Sequence, residues 1–365
     1  MITELGPVTV RNLAERLGAV EAVLEAGEAE LVQAKGVGPE RAKAIIRQRD
    51  ELDVDAEIRA AKSHGARIIT PVDDEYPPAL KTIHDPPLAL YVVGEILPQD
   101  KHAVALIGSR RCTVYGRQVA DRLAFQLAKI GYTVVSGLAR GIDTAAHEGA
   151  LKGKGRTLAV LGGAIDCLYP AENEELAKRI ARKKGAVISE YPLGREPDRT
   201  TFPYRNRIVS GISQGVVVVE ASRNSGSLIT VDAALEHGRA VFAVPGRIDS
   251  PYAQGCHMLI KNGARLVENV DDIVEEFEML IPPEKKQQAE TMKKRPDVQL
   301  TADEERVVRS LGHGQLDIDE LSREAGLKSH VVASLLLGLE MKRVVRMLPG
   351  RKVELAVKAD EIAAG

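Results

Sequence analysis

The chain has 365 residues, of which 44% are hydrophobic and 28% charged, and its formal net charge is -2. That length exceeds what one small core needs and predicts two or three domains, while the near-neutral balance excludes a uniformly basic nucleic-acid binder, so any basic site has to be local. Cys112, Cys167 and Cys256 stand far apart with no CxxC spacing, which argues against a disulfide framework or a structural zinc; with no export signal and no apolar run near the roughly 20 residues that span a bilayer, a cytoplasmic protein without metal or membrane contact is predicted.

Residues 1–63 read as a small N-terminal helical domain. In it "LVQAKGVGPERAKAI" sets Gly36 and Gly38 in a tight turn between two apolar-periodic segments, the pattern of a helix-hairpin-helix. Such glycines either let backbone N–H groups approach a phosphate or simply form a packing corner, and both readings stand. A Pro-rich lead-in, "PVDDEYPPALKTIHDPPLALYVVG", follows, with "LALYVVG" read as a short strand. It opens a second domain, 64–280, in which the apolar runs "AVALIG", "YTVVSG", "TLAVLGG", "AVISE", "GVVVVEA" and "AVFAVPG" alternate with amphipathic segments. That alternation predicts an α/β fold, a parallel sheet with crossover helices. Open parallel sheets bind ligands beyond the carboxyl ends of their strands, so the loops after these runs mark the expected site. Residues 281–300, charged and Pro-flanked, read as a linker. Residues 301–365 predict three helices and a two-stranded wing, the order of a winged helix-turn-helix, and the apolar "VVASLLLGLEM" favours docking of a partner over base reading.

The first of the site loops, "GSRR", Gly108 to Arg111, follows a strand and precedes a helix, so its amides and Ser109 can face an anion with Arg110 supplying charge. It is neither GxGxxG nor a Walker motif, and no dinucleotide or other cofactor is predicted. In "SGLARGIDTAAHEGAL" Asp143 is expected to N-cap the helix carrying His147, and His147 to pack rather than catalyse. Asp166 is expected to organise its loop or hold an arginine, and Cys167 lacks a nearby histidine that would make it a nucleophile. "NSGSLIT" opens a further helix, where Ser225, Gly226 and Ser227, together with Gly108, can form a phosphate nest. Phosphoribohydrolases of the lysine-decarboxylase-like group carry a catalytic glutamate at a comparable turn, but aligning Gly226-Ser227 with their GT puts Thr230 in its place.

"RTTFPYRNRIVSGIS" gathers Arg199, Phe202, Arg205, Asn206 and Arg207 in a chain with 3% aromatics and no tryptophan. Arginines pair with phosphate oxygens and an aromatic face stacks an unpaired base, a combination suited to a single strand because a duplex hides its base faces. The alternative is that Arg205 and Asn206 cap a helix or bridge subunits.

Together "ALIGSRR", "VVSGLARGIDTAAHEGAL", "LGGAIDCLYPAEN", "FPYRNRIVSGIS", "VVVVEASRNSGSLITVDAALEHGR" and "VFAVPG" closely resemble the DNA-processing protein A (DprA/Smf) family. The resemblance implies an extended Rossmann-like core between a variable N-terminal helical domain and a C-terminal winged helix. It implies a non-enzymatic, homodimeric protein that binds single-stranded DNA and helps load the RecA recombinase on incoming strands during natural transformation. The DNA-binding residues it implies are Ser109, Arg110, Arg199, Phe202, Arg205 and Arg207, with Asn206 inside the matching motif. In the wing, Lys342 stands where a turn glycine is expected and no aromatic follows the Pro-Gly turn. The alternative function, from the same sheet edge, is a phosphoribohydrolase-like nucleotide hydrolase in which an acid such as Asp166 acts on the sugar.

Overall fold

The computed structural model describes residues 5–182, 185–279, 301–311, 316–341, 344–348 and 352–355. The chain divides into two compact units, Met1–Leu280 and Ile281–Gly365. The expected linker 281–300, Lys342 and the Pro349-Gly350 turn lie outside the described residues.

The first unit starts with α1 (Pro7–Leu17), α2 (Val20–Glu25), α3 (Glu28–Leu31) and α4 (Pro39–Asp50), which share a core of Leu13, Val23, Leu31, Val37 and Ile45. Gly36 turns the chain at φ +85°, a region that disfavours side chains, and Gly38 precedes the Pro39 that starts α4. Next, α5 (Val54–Ser63) packs Ala61 against Tyr91 of the sheet.

The sheet follows the apolar runs. Its strands are β1 (Arg67–Ile69), β2 (Leu90–Gly94), β3 (Ala103–Ile107), β4 (Thr133–Ser136), β5 (Thr157–Val160), β6 (Ala186–Ser189), β7 (Gly215–Val218), β8 (Ala240–Ala243) and β9 (Arg265–Leu266). Successive residues of β3 enter opposite cores: Ala103, Ala105 and Ile107 on one face, Val104 and Leu106 on the other. Burial on both faces is why these strands read as unbroken apolar runs rather than alternating ones. Crossovers are made by α6 (Val114–Lys129), α7 (Ile142–Lys152), α8 (Glu174–Arg182), α9 (Thr201–Ile212), α10 (Ser227–Glu236) and α11 (Gln254–Lys261), with α12 (Asp271–Met279) closing the unit.

Strand order is β1-β2-β6-β5-β4-β3-β7-β8-β9. From β6 to β9 every pair is parallel, whereas β2 joins β6, and β1 joins β2, antiparallel. The expected parallel sheet therefore carries an antiparallel edge, with β2 at the end of the Pro-rich lead-in and β1 just before it. The chain winds from β3 outward to β6, then α9 carries it back across β3 to start β7 on the other side. Beside β3 the winding reverses, and that is where an open sheet leaves a crevice.

In the second unit α13 (Ala302–Leu311), α14 (Ile318–Ala325) and α15 (Ser329–Met341) enclose Val307, Leu311, Leu321, Val332, Leu336 and Leu339. The apolar run of α15 thus faces a core. The wing strands β11 (Val345–Leu348) and β12 (Lys352–Leu355) pair antiparallel, and the short β10 (Leu316–Asp317) adds a third strand to the expected two.

Candidate nucleic-acid interface

The crevice is built first by the GSRR loop. A Cβ at Gly108 would lie 2.7 Å from Ile142 Cγ1 and 2.8 Å from the Glu220 carbonyl oxygen, so only glycine lets the loop pass between β7 and α7. Ser109 N–H donates to that same Glu220 carbonyl at 2.7 Å. The Glu220 carboxylate, buried past the end of β7, accepts from Thr113 N–H (2.8 Å) and Thr113 Oγ (2.6 Å), and Thr113 Oγ in turn accepts from Gly116 N–H at the start of α6. Glu220 therefore ties loop and helix to the neighbouring strand. Ser109 Oγ accepts from Arg111 N–H at 3.1 Å, and Arg110 and Arg111 are left exposed.

The N-terminus of α9 forms the next wall. Asp198, its carboxyl held down at about 2 by hydrogen bonds from Thr200 and Thr201, fixes the entry to the helix. Phe202 packs against Gly162, where a Cβ would come within 2.5 Å of its ring. The guanidinium of Arg110 covers Phe202 from 4.8 Å to the ring centroid. Across the crevice Ser225, Gly226 and Ser227 lead into α10, with the two serine hydroxyls 2.8 Å apart.

A cavity of 610 Å³ is lined by Gly108, Ser109, Arg110, Arg199, Phe202, Arg205 and Asn206, and by Ser225, Gly226 and Ser227 on the opposite wall. The structure thus brings together all but one of the residues expected at the site. Arg207 is the exception: it points away, 6% exposed, and pairs with Asp85 (2.8 Å) and Glu190 (2.6 Å). Burial opposes its charge, but Glu190 and Asp85 more than offset that and raise its pKa further. Arg205 lines the floor yet is only 4% exposed. Its Nη1 donates to the carbonyls of Gly137 (2.9 Å) and Val160, joining the ends of β4 and β5. Burial pulls its pKa to about 10 despite the nearby Asp143. The four arginines therefore split into exposed Arg110 and Arg199, which are in no ion pair among the described residues, and buried Arg205 and Arg207, which already donate to protein acceptors, Arg205 from Nη1 and Arg207 from Nε and Nη2.

Asp143 corrects one expectation. The N-cap of α7 is Gly141, and Asp143 Oδ2 instead accepts from Gly137 N–H (3.1 Å) and Ala139 N–H (3.3 Å), fastening the loop before the helix. Burial raises its pKa, against the pull of Arg205. His147 is fully buried with Nδ1 2.7 Å from Thr157 Oγ, and burial followed by Arg205 lowers its pKa to about 3, as a packed histidine requires. Asp166 accepts from Gly194 N–H and does not line the cavity, and Thr230 lines it as a buried hydroxyl. Burial and then Asp166 push the Cys167 thiol up. Among the described residues no cluster of His, Cys, Asp or Glu could hold a metal ion, and no helix is long and apolar enough to cross a membrane.

A mostly parallel, doubly wound sheet whose switch-point crevice combines free guanidinium groups, a hydroxyl-rich helix N-terminus and an aromatic face defines a binder of phosphates with flat rings attached. Comparison with known proteins narrows this class. The family model for DNA recombination-mediator protein A matches residues 67–278, a DprA winged-helix model matches 291–351, and a tandem helix-hairpin-helix model matches 1–51. The chain is 42% identical over 221 residues to DNA processing protein DprA of Bacillus subtilis, covering 60% of this chain and 74% of that one. The X-ray structure of DprA from Streptococcus pneumoniae superposes with a TM-score of 0.66 at 35% identity, over 75% of this chain and 93% of the other. A Helicobacter pylori DprA structure, described as giving insight into a single-stranded DNA binding mode, superposes at 0.53 with 31% identity, over 60% and 99% of the two chains. The chain belongs to the DNA recombination-mediator protein A family.

Glu220, Tyr169 and the Asp85–Glu190 pair were not among the residues expected at the site. Glu220 and Tyr169 stand inside quoted motifs, but their contacts are made across long sequence separations.

Proposed function

We propose that the switch-point crevice holds a single strand of DNA in a recombination mediator, with phosphates on Arg110, Arg199 and the Ser225–Ser227 turn and a base stacked at Phe202. The observation that carries this reading is the Arg110 guanidinium 4.8 Å from the Phe202 ring centroid inside a cavity whose far wall is a helix N-terminus. An aromatic anchor contributes where bases are unpaired and little where they are stacked inside a duplex. Arg205, with Nη1 donating to two carbonyls, serves by holding the ends of β4 and β5 in place.

We further propose that the protein works as a homodimer and passes its strand to RecA. Light scattering at the concentrations used for binding, and RecA strand exchange with and without the protein, check these two statements; a monomer throughout, or no stimulation, removes them.

The deciding experiment is fluorescence anisotropy of a labelled single strand and of its duplex. The single strand should bind more tightly, and Phe202→Ala should weaken it roughly five- to a hundredfold, from about 1–3 kcal/mol per stacked base, while leaving duplex binding nearly unchanged. Equal loss on both ligands sinks the stacking role.

A further inference from the structure

We propose that Tyr169 is a second base-stacking platform beside Phe202, so that the interface takes two consecutive unpaired bases of a stretched strand. This rests on the single-strand reading above.

The chain has 8 tyrosines, 4 phenylalanines and no tryptophan, and several of its rings are core residues, such as Tyr76, Tyr91, Phe242 and Phe277. Tyr169, in contrast, is 46% exposed. Its ring centroid is 5.9 Å from that of Phe202, the planes inclined at 58°. Each ring has its own arginine: Arg110 lies 4.8 Å from Phe202 and Arg140 5.9 Å from Tyr169. A smaller cavity of 220 Å³ joins these four side chains. The result is two arginine-aromatic units side by side.

The spacing selects the ligand. Successive bases in a duplex strand are about 3.4 Å apart and parallel. Rings 5.9 Å apart and tilted cannot continue such a stack, and they are too close and too oblique to sandwich one base between them. They suit two bases already unstacked from each other, one per ring. The loop that carries this ring is also held firmly. Buried Asn173 donates from Nδ2 to the Leu138 carbonyl (2.8 Å) and to Thr144 Oγ (2.9 Å), while its N–H donates to the carbonyl of Pro170, next to Tyr169. A loop fixed before binding loses little freedom on binding. Arg140 is engaged with Glu172 by two hydrogen bonds of 2.9 and 2.8 Å, but both partners are about half exposed. Such surface pairs are weak, so a backbone phosphate can compete for the guanidinium.

The test uses the full chain, a labelled oligothymidylate and an abasic strand of the same length. Tyr169→Leu should weaken oligothymidylate binding roughly tenfold, Tyr169→Phe should keep it, and both variants should bind the abasic strand like the wild type. Unchanged oligothymidylate binding by Tyr169→Leu overturns the proposal. So does an equal loss on both strands, because a ring that only supports its loop would weaken phosphate contacts as well. If the wild type binds the two strands alike and Phe202→Ala has no effect, the single-strand stacking reading itself fails, and this inference with it.

Discussion

The GSRR loop and the arginines of α9 bring guanidinium groups to one sheet edge, yet the two regions do opposite work. Arg110 sits on a loop whose backbone is fastened by Glu220 and Thr113, so its side chain is left exposed over Phe202. Arg205 and Arg207 lie one and one-half turns into a helix pressed on the sheet, and their side chains are spent on carbonyls and carboxylates. Identical residue types at one sheet edge are thus divided by burial: an exposed guanidinium can exchange water for phosphate, while a buried one needs protein partners. Arg205 and Arg207 thus tie together the elements behind the cavity, while Arg110 stays exposed over it.

The sharpest way to break this division is to remove a buried member. Arg207→Met leaves the buried Glu190 carboxylate without its cation, and the unfolding free energy should fall by about 3–5 kcal/mol, read from the urea midpoint. A loss below about 1 kcal/mol would mean that the pair is not structural.

A smaller effect comes from His147, which shares its surroundings with Arg205 and Asp143. Its folded pKa of about 3 lies below the ordinary value of 6.5. As pH falls below about 6.5 the unfolded chain takes up a proton that the folded chain refuses, so stability declines from there toward pH 3. His102 and His237 are shifted in the same direction, while Asp143 and Glu190 are shifted so as to oppose it, so the contribution is isolated by comparison with His147→Asn. Between pH 7 and pH 5 the wild type should lose on the order of 1–2 kcal/mol more than the variant. Parallel pH profiles of the two proteins would rule out a neutral buried imidazole.

These effects also mark what the sequence made legible. The core strands were readable because burial on both faces leaves continuous apolar runs, and their Gly- and Ser-rich ends pointed to the edge where the cavity lies. The short edges, β1 with "RII" and β9 with "RL", carry no such signal and are strands only because a neighbour pairs with them. "FPYRNR" announced charge and a ring, but its helical phase decides which arginines face the cavity. The partners of Arg207 lie 122 and 17 residues away, and Glu220 reaches Thr113 over 107 residues, separations that periodicity does not encode. Asp143 looked like a helix cap from its place after Gly141; the helix starts one residue before it, and its carboxylate turns back to the loop.

The smallest expected change in stability, and the clearest contrast with Arg207, belongs to Arg110. Its guanidinium is exposed and its contact is with the Phe202 face, so Arg110→Gln should leave the unfolding free energy within about 0.5 kcal/mol. Binding should respond differently. If Arg110 neutralises one phosphate, its loss lowers the slope of log affinity against log salt by about 0.7 on a single strand, and affinity falls most at low salt. Phe202 keeps its seat on Gly162, so the stacking contribution, being insensitive to salt, persists in the variant. An anisotropy salt series on both proteins therefore separates the two halves of the site. A parallel downward shift with unchanged slope would mean that Arg110 acts through the ring it covers and not through a phosphate, which would move it from the exposed group of arginines to the positioning one.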